Sequence, residues 1–261
     1  MHIALGLEYD GGGFHGWQSQ ADGSGVQDAL ESALAAIAGE GVRTIAAGRT
    51  DAGVHATIQV AHFDTTAKRP DTAWVRGANA LLPNAIAVRW ALPVAADFHA
   101  RYAATGRSYT YLLLDRPVRP ALLNGKVGWY HRPLAVEAMR SASAQLLGRH
   151  DFSAFRAAEC QASSPVKTLD RIDIGREDDM IRFDFHADAF LQHMVRNIVG
   201  ALVYVGSGRQ HQGWIAELLA SRDRTRGAPT FAACGLYLTG IDYAPRWNLP
   251  PTVVPLRLPR C

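Results

Sequence analysis

The sequence predicts an α+β fold made of two loosely similar halves. Three observations lead there. Runs of alternating apolar and polar residues are mixed with runs of helical spacing, and each half carries several of the first kind and at least two of the second. Antiparallel sheets with helices on one side are the simplest packing for that mixture. The 261 residues, 48% hydrophobic and 20% charged, can bury a sizeable core in one or two domains. That composition excludes a disordered, collagenous or coiled-coil chain.

The elements follow in order. Ile3, Leu5, Leu7 and Tyr9 alternate as a half-buried strand, and Asp10 to Gly25 is a Gly-rich loop. Ser24 and Gln27 form a capping-box pattern before Val26, Leu30, Leu34 and Ile37 at helical spacing, and Gly39 stops that helix. Short strands at Thr44–Ala47 and Thr57–Phe63 flank residues 48–55. A helix from Asp71 to Leu82 ends at Pro83, and Ile86, Val88, Trp90 and Leu92 alternate as a strand. In the second half Arg107–Leu114 is strand and Leu134–Leu147 helix. Thr168–Gly175 and Met180–Asp188 make a hairpin around Glu177-Asp178. Phe190–Val205 is a helix with Leu191, Val195, Ile198 and Leu202 on one face. A helix at Trp214–Ala220 and a strand at Leu236–Tyr243 complete the half. The expected domains are 1–103 and 104–243, followed by an irregular tail, 244–261, with five prolines.

Cys160, Cys234 and Cys261 are odd in number and far apart, which excludes a disulfide framework and a zinc ribbon. The greasiest segment, Ala189–Val205, is interrupted by His193, Arg196 and Asn197, so no membrane span is expected. The first residues lack a basic region followed by a long apolar one, so no secretory signal is expected and the chain is read as cytoplasmic. The net charge is 27 − 24 = +3, and 24 of the 27 bases are arginine. Residues 1–40 hold six acids and no base, whereas residues 101–132 hold six bases against Asp115 alone. Arginine forks suit phosphates and stacking on bases, so this layout favours an anionic partner such as nucleic acid. Codon bias is the other reading of the arginine excess.

Gly11-Gly12-Gly13-Phe14-His15-Gly16 matches G-x-G-x-x-G after a strand, but the nearest helix start lies eight residues on. A dinucleotide site needs a helix N-terminus there, so that reading is set aside. His55 and His62 would lie on opposite faces of one strand and cannot share a metal, so no metal site is expected. Gly48-Arg49-Thr50-Asp51-Ala52-Gly53-Val54-His55 sets a carboxylate between two strands with a cation two residues away. It reads either as a functional carboxylate held rigidly or as a tight loop in which Asp51 serves the backbone. Arg107, Tyr109 and Tyr111 share one strand face, fit for stacking on an unpaired base or for cover by another element. Arg196, in a mostly apolar helix, either seeks a carboxylate or faces solvent.

Taken together these strings resemble the tRNA pseudouridine synthase A family. Tyr9-Asp10-Gly11 with Phe14–Gln18 resembles its opening motif, and Gly48–Ala56 its catalytic loop. Phe98–Arg101 and Arg107–Tyr111 resemble its base-holding strand, and His193–Gly200 and Gly235–Leu238 its late motifs. The resemblance spans residues 3 to 243, departing at Gln192 and in the tail. It implies the pseudouridine synthase fold, two α/β-sandwich halves with a cleft between them. The implied activity is conversion of uridine to pseudouridine at positions 38, 39 and 40 of the tRNA anticodon stem-loop, by a homodimer with no metal or cofactor. By resemblance Asp51 is the essential aspartate. Tyr109 stacks on the target base, Arg196 pairs with Asp51, Leu236 packs the pocket and Arg49 helps extrude the base. Arg101, Arg107, Arg116 and Arg119 are the expected RNA-backbone contacts.

Overall fold

Strand β1 (His2–Tyr9) buries Ala4 and Gly6 as well as Ile3, Leu5 and Leu7, so it is covered on both faces rather than half-buried as its alternation predicts, in a computed structural model that describes residues 1–256. The chain divides into two compact units. The first contains Met1–Gly106 and the segment from Tyr237 onward; the second is Arg107–Leu236.

In the first unit β1 lies between β3 (His55–Asp64) and β4 (Ile86–Pro93), antiparallel to both. Strand β2 (Thr44–Ala46) pairs with the far end of β3, at 61–63. The near end of β3 pairs with β10 (Leu236–Tyr243), Tyr237 opposite His55 and Leu238 opposite Ala56, in parallel. Helix α1 (Val26–Ala38) buries Val26, Leu30 and Leu34, and Gly39 ends it in the left-handed region. Its N-cap is Gly25, whose N–H donates to Asp28 Oδ2 at 2.9 Å. The Ser24/Gln27 box does not form, because Ser24 Oγ donates to Asp22 and the Gln27 amide to Glu31 and the Thr44 carbonyl. The helix expected over 71–82 contains a π turn, Ala73–Gly77, before α2 (Ala78–Leu81). That turn carries Trp74, fully buried and edge-on to Phe63 at 5.2 Å.

The second unit is built on β5 (Ala104–Asp115), which enters from the first unit, then β9 (Met180–Ala187), β8 (Val166–Glu177) and β7 (Gly148–Asp151), all antiparallel neighbours. The short β6 (Gly128–Tyr130) runs parallel to β5. The hairpin turns where expected, with Asp178 at φ 54. Helices α3 (Val136–Ser143), α4 (Met194–Gly206) and α5 (Trp214–Ser221) belong to the same unit. Arg140 of α3 donates to the Ile174 carbonyl of β8 at 2.6 Å, and Asp115 forms a buried ion pair with Arg176. Helix α4 starts four residues later than expected. His193 adopts φ 63, and the Gln192 carbonyl accepts from Ala157 N–H, so the chain is turned before the helix can begin.

The α+β class stands, but the expected all-antiparallel sheets are mixed, through β3–β10 and β5–β6. The expected division at 103 and 243 differs from that of the compact units, whose chain boundaries fall between Gly106 and Arg107 and between Leu236 and Tyr237. Pairing with β3 draws most of β10 into the first unit. The segment expected to be an irregular tail also has partners there. Val253 bridges Gly240, Val254 N–H donates to the Thr239 carbonyl, and the Thr57 hydroxyl donates to the Val254 carbonyl. Residues 257–261, including Cys261, lie outside the described residues.

Candidate active site

The loop 48–54 joins β2 to β3 and is held from three directions within the first unit. From β3, Gln59 Nε2 donates to the Gly48 carbonyl at 2.6 Å. From β1, the Tyr9 hydroxyl shares a 2.8 Å hydrogen bond with Thr50 Oγ1, and Gln59 Nε2 reaches the same phenol at 3.5 Å. Burial pushes the Tyr9 phenol up to about 12, with Thr50 and Gln59 opposing the shift, so it stays a neutral donor. From the Gly-rich segment, Trp17 N–H donates to the Thr50 carbonyl at 3.0 Å. The loop closes on itself through Val54 N–H to the Asp51 carbonyl at 3.1 Å. Gly53 sits at φ +78, the third position of a type II turn.

These bonds explain the Gly-rich string that resembled a nucleotide motif. Gly16 has φ +88, and a Cβ there would stand 2.7 Å from the Thr50 carbonyl oxygen and 3.1 Å from Ala52 N. The string packs against the Asp51 loop, and only glycine permits that approach. Gly11 N–H donates to Nδ1 of His55, the residue after the loop, which lies 2.9 Å from Asp10 Oδ1 and stacks on Tyr237 at 4.7 Å. The consequence is a half-buried Asp51 next to a buried Thr50, with Arg49 exposed beside it.

The sequence-predicted site residues divide between the units. Arg49, Asp51 and Arg101 belong to the first. Arg101 is exposed, its guanidinium 5.8 Å from the Tyr102 ring centre. Arg107, Tyr109, Arg116, Arg119, Arg196 and Leu236 belong to the second. There Tyr109 is 8% exposed and meets Phe190 edge-on at 5.1 Å. Arg107 donates to the Asp188 carbonyl at 3.1 Å. Arg196 Nε donates to the Phe231 carbonyl at 2.9 Å, which aims the guanidinium. Phe231 packs on Tyr111, whose hydroxyl donates to the Ala232 carbonyl. Burial raises the Tyr111 phenol well above its usual range, with Cys234 adding to the shift and Arg196 opposing it. Gly235 lies against Tyr111 and the Leu112 carbonyl, and delivers the buried Leu236 into β10. Arg119 is exposed, while Arg116 pairs with Asp179 at 3.2 Å.

Sequence reasoning missed Tyr9, Gln59 and Phe231 as supports. Tyr9 stood in the opening motif, but its reading as a core strand residue absorbed it. Among the described residues no group of three or more His, Cys, Asp and Glu gathers as a metal would require, and no helix is long and apolar enough to cross a membrane. A family model described as tRNA pseudouridine synthase matches residues 7–103 and 142–244. The tRNA pseudouridine synthase A of Dechloromonas aromatica (strain RCB) is 61% identical over 250 residues, 96% of this chain and 95% of that one. The tRNA pseudouridine synthase A of Chromobacterium violaceum is 63% identical over 251 residues, 96% of each chain. The tRNA pseudouridine synthase A of Thiobacillus denitrificans is 61% identical over 250 residues, again 96% of each.

Proposed function

The chain belongs to the tRNA pseudouridine synthase family, and from that premise we propose that it converts uridine to pseudouridine at positions 38, 39 and 40 of the tRNA anticodon stem-loop, with Asp51 as the catalytic carboxylate. The observation that carries the assignment of Asp51 is the fixation of its loop. Gly48, Thr50 and Val54 are each bonded, so the backbone that carries Asp51 is fixed before substrate arrives.

The reaction breaks the N1–C1′ bond of uridine, turns the uracil and rejoins it through C5, with the C5 proton passing to solvent and one proton gained at N1. Nothing leaves and no electron is exchanged, so the chemistry calls for no cofactor. A fixed carboxylate can attack C1′, add to C6 of the base, or remove the C2′ proton to give a glycal. All three start from an ionised Asp51. A base within a stem must first be flipped out, at a cost of a few kcal/mol. In this reading Arg49, exposed next to Asp51, helps to extrude the base. Tyr109 stacks on it, contributing about 1–3 kcal/mol. Leu236 packs the uracil pocket, and Arg196 is the counterion of Asp51. Arg101, Arg107, Arg116 and Arg119 meet phosphates; Arg116 must exchange Asp179 for one. The working form is a homodimer in the cytoplasm.

The test is Asp51→Asn. The change is close to isosteric and removes the charge and the nucleophilic oxygen. With tritium at C5 of the tRNA uridines, product formation releases label to water. Turnover should fall to background while tRNA affinity stays near wild type, because phosphate contacts and stacking carry binding. Substantial release by Asp51→Asn, with deamidation excluded by mass spectrometry, would overturn the assignment. Wild-type protein that binds tRNA and releases no label would instead be a binding module on this fold.

A further inference from the structure

We propose that a basic groove in the second unit, outside the arginine-rich stretch 101–132, binds the phosphodiester backbone of the RNA. The inference rests on the reading of tRNA as substrate. Its residues come from distant parts of the chain. Strand β7 supplies Arg149 and Asp151, and α5 ends in Arg222 at φ 52. These three line one open cleft. Arg222 also lines a second open cleft with Arg156, Asp223 and Arg224, so the two clefts meet at Arg222.

Charge and hydrogen bonding together define what fits. The residues named hold four arginines against two carboxylates, and both carboxylates are engaged. Asp151 accepts from Ser153 N–H at 2.9 Å and lies 3.4 Å from Arg222 Nε. Asp223 accepts from the N–H and the hydroxyl of Thr225, at 2.9 and 2.7 Å. Arg224 is held by Asn197 Oδ1 and Thr230 Oγ1 at 3.0 and 3.2 Å, which fixes its guanidinium. Arg149 and Arg156 make no side-chain hydrogen bond or ion pair among the described residues. Arg156 helps to hold the Asp151 carboxyl below its usual range, yet neither Arg149 nor Arg156 is committed to a hydrogen bond, so both guanidiniums can turn to a ligand in clefts open to solvent. An enclosed pocket would select a small anion. An open groove with arginine forks suits a polymer of phosphates.

The experiment measures tRNA affinity of the full chain against salt for wild type, Arg149→Gln/Arg156→Gln, and Arg149→Lys/Arg156→Lys. Each lost phosphate contact removes about 0.7–0.9 from the slope of log K against log salt, so the Gln pair should flatten it by about 1.4–1.8. Extrapolated from 1 M, that weakens binding about 25- to 60-fold at 0.1 M salt. The Lys pair keeps the charges and should keep the slope. An unchanged slope in the Gln pair overturns the proposal, as does a slope lost equally in the Lys pair. Tritium release by wild type on the same tRNA reports the functional reading separately. Turnover with an unchanged slope sinks the groove alone; a flattened slope without turnover supports the groove and sinks the isomerase.

Discussion

Replacing Gly16 by alanine tests whether loop position sets the rate, and Gly23 provides a matched control. Both glycines have positive φ, +88 and +73, so alanine at either pays about 1 kcal/mol or somewhat more in backbone strain. They differ in surroundings. A Cβ at Gly23 meets nothing within 4 Å, whereas at Gly16 it stands 2.7 Å from the Thr50 carbonyl oxygen. Ordinary contact begins at 3.4 Å, so the Asp51 loop must retreat by 3.4 − 2.7 = 0.7 Å, or the Gly-rich segment must. Gly23→Ala should lower the melting temperature by about 2–4 °C per kcal/mol and leave turnover intact. Gly16→Ala should lower it further and cut kcat by tens-fold, since a displacement near 1 Å can cost about 100-fold. Tritium release at saturating tRNA, beside thermal melts of both variants, gives the comparison. Equal kcat in the two variants would refute the idea that the Gly-rich segment positions Asp51.

Two further outcomes are expected. Tyr109→Phe keeps the ring and should hold tRNA and turnover near wild type, while Tyr109→Ala should lose both the flipped base and activity; a Phe variant that binds but is as inactive as Ala would move the role to the hydroxyl. His62 is buried in the first unit and accepts from Ala100 N–H at 3.1 Å. Burial lowers it from 6.5 to about 4, with His2 and His99 adding to the shift. The unfolded chain takes up that proton first, so the stabilisation is complete above pH 6.5 and is lost as pH falls towards 4. Melts across that window should show the loss, and His62→Asn, which keeps an acceptor, should flatten it; an equally steep fall in the variant would assign the acid loss to other groups.

Periodicity made most strands and helices legible, because each reports burial of its own face. Pairing between distant segments was not legible. Nothing near residue 237 says that β10 will lie parallel to His55 and Ala56. Strand β7 was missed because Gly-Arg-His-Asp carries no apolar alternation. The start of α4 was misread because Leu191 fits the helical stripe, yet His193 turns the chain first. At the site, the glycine bracket marks the Asp51 loop within eight residues. Its supports, Tyr9, Gly16 and Gln59, come from separate segments and gain meaning only once β1 and β3 are paired. The basic groove is a stronger case, with arginines from positions 149 to 224 meeting on one surface.

Completion of the first unit by the segment from Tyr237 onward has a consequence for synthesis on the ribosome. Strand β3 is made early, but the edge at His55 and Ala56, adjoining the Asp51 loop, gains its partner only after residues 65–236 have been translated. At about 5–20 residues per second those 172 residues take roughly 9–34 s. Throughout that interval the nascent chain carries an unpaired strand end beside its Asp51 loop, open to a neighbouring nascent chain or a chaperone. Completion of the strand that follows Asp51 is thereby tied to a segment translated after the whole second unit, so a ribosome that stalls before residue 237 releases a chain whose second unit is fully synthesised and whose Asp51 strand is still short of a neighbour.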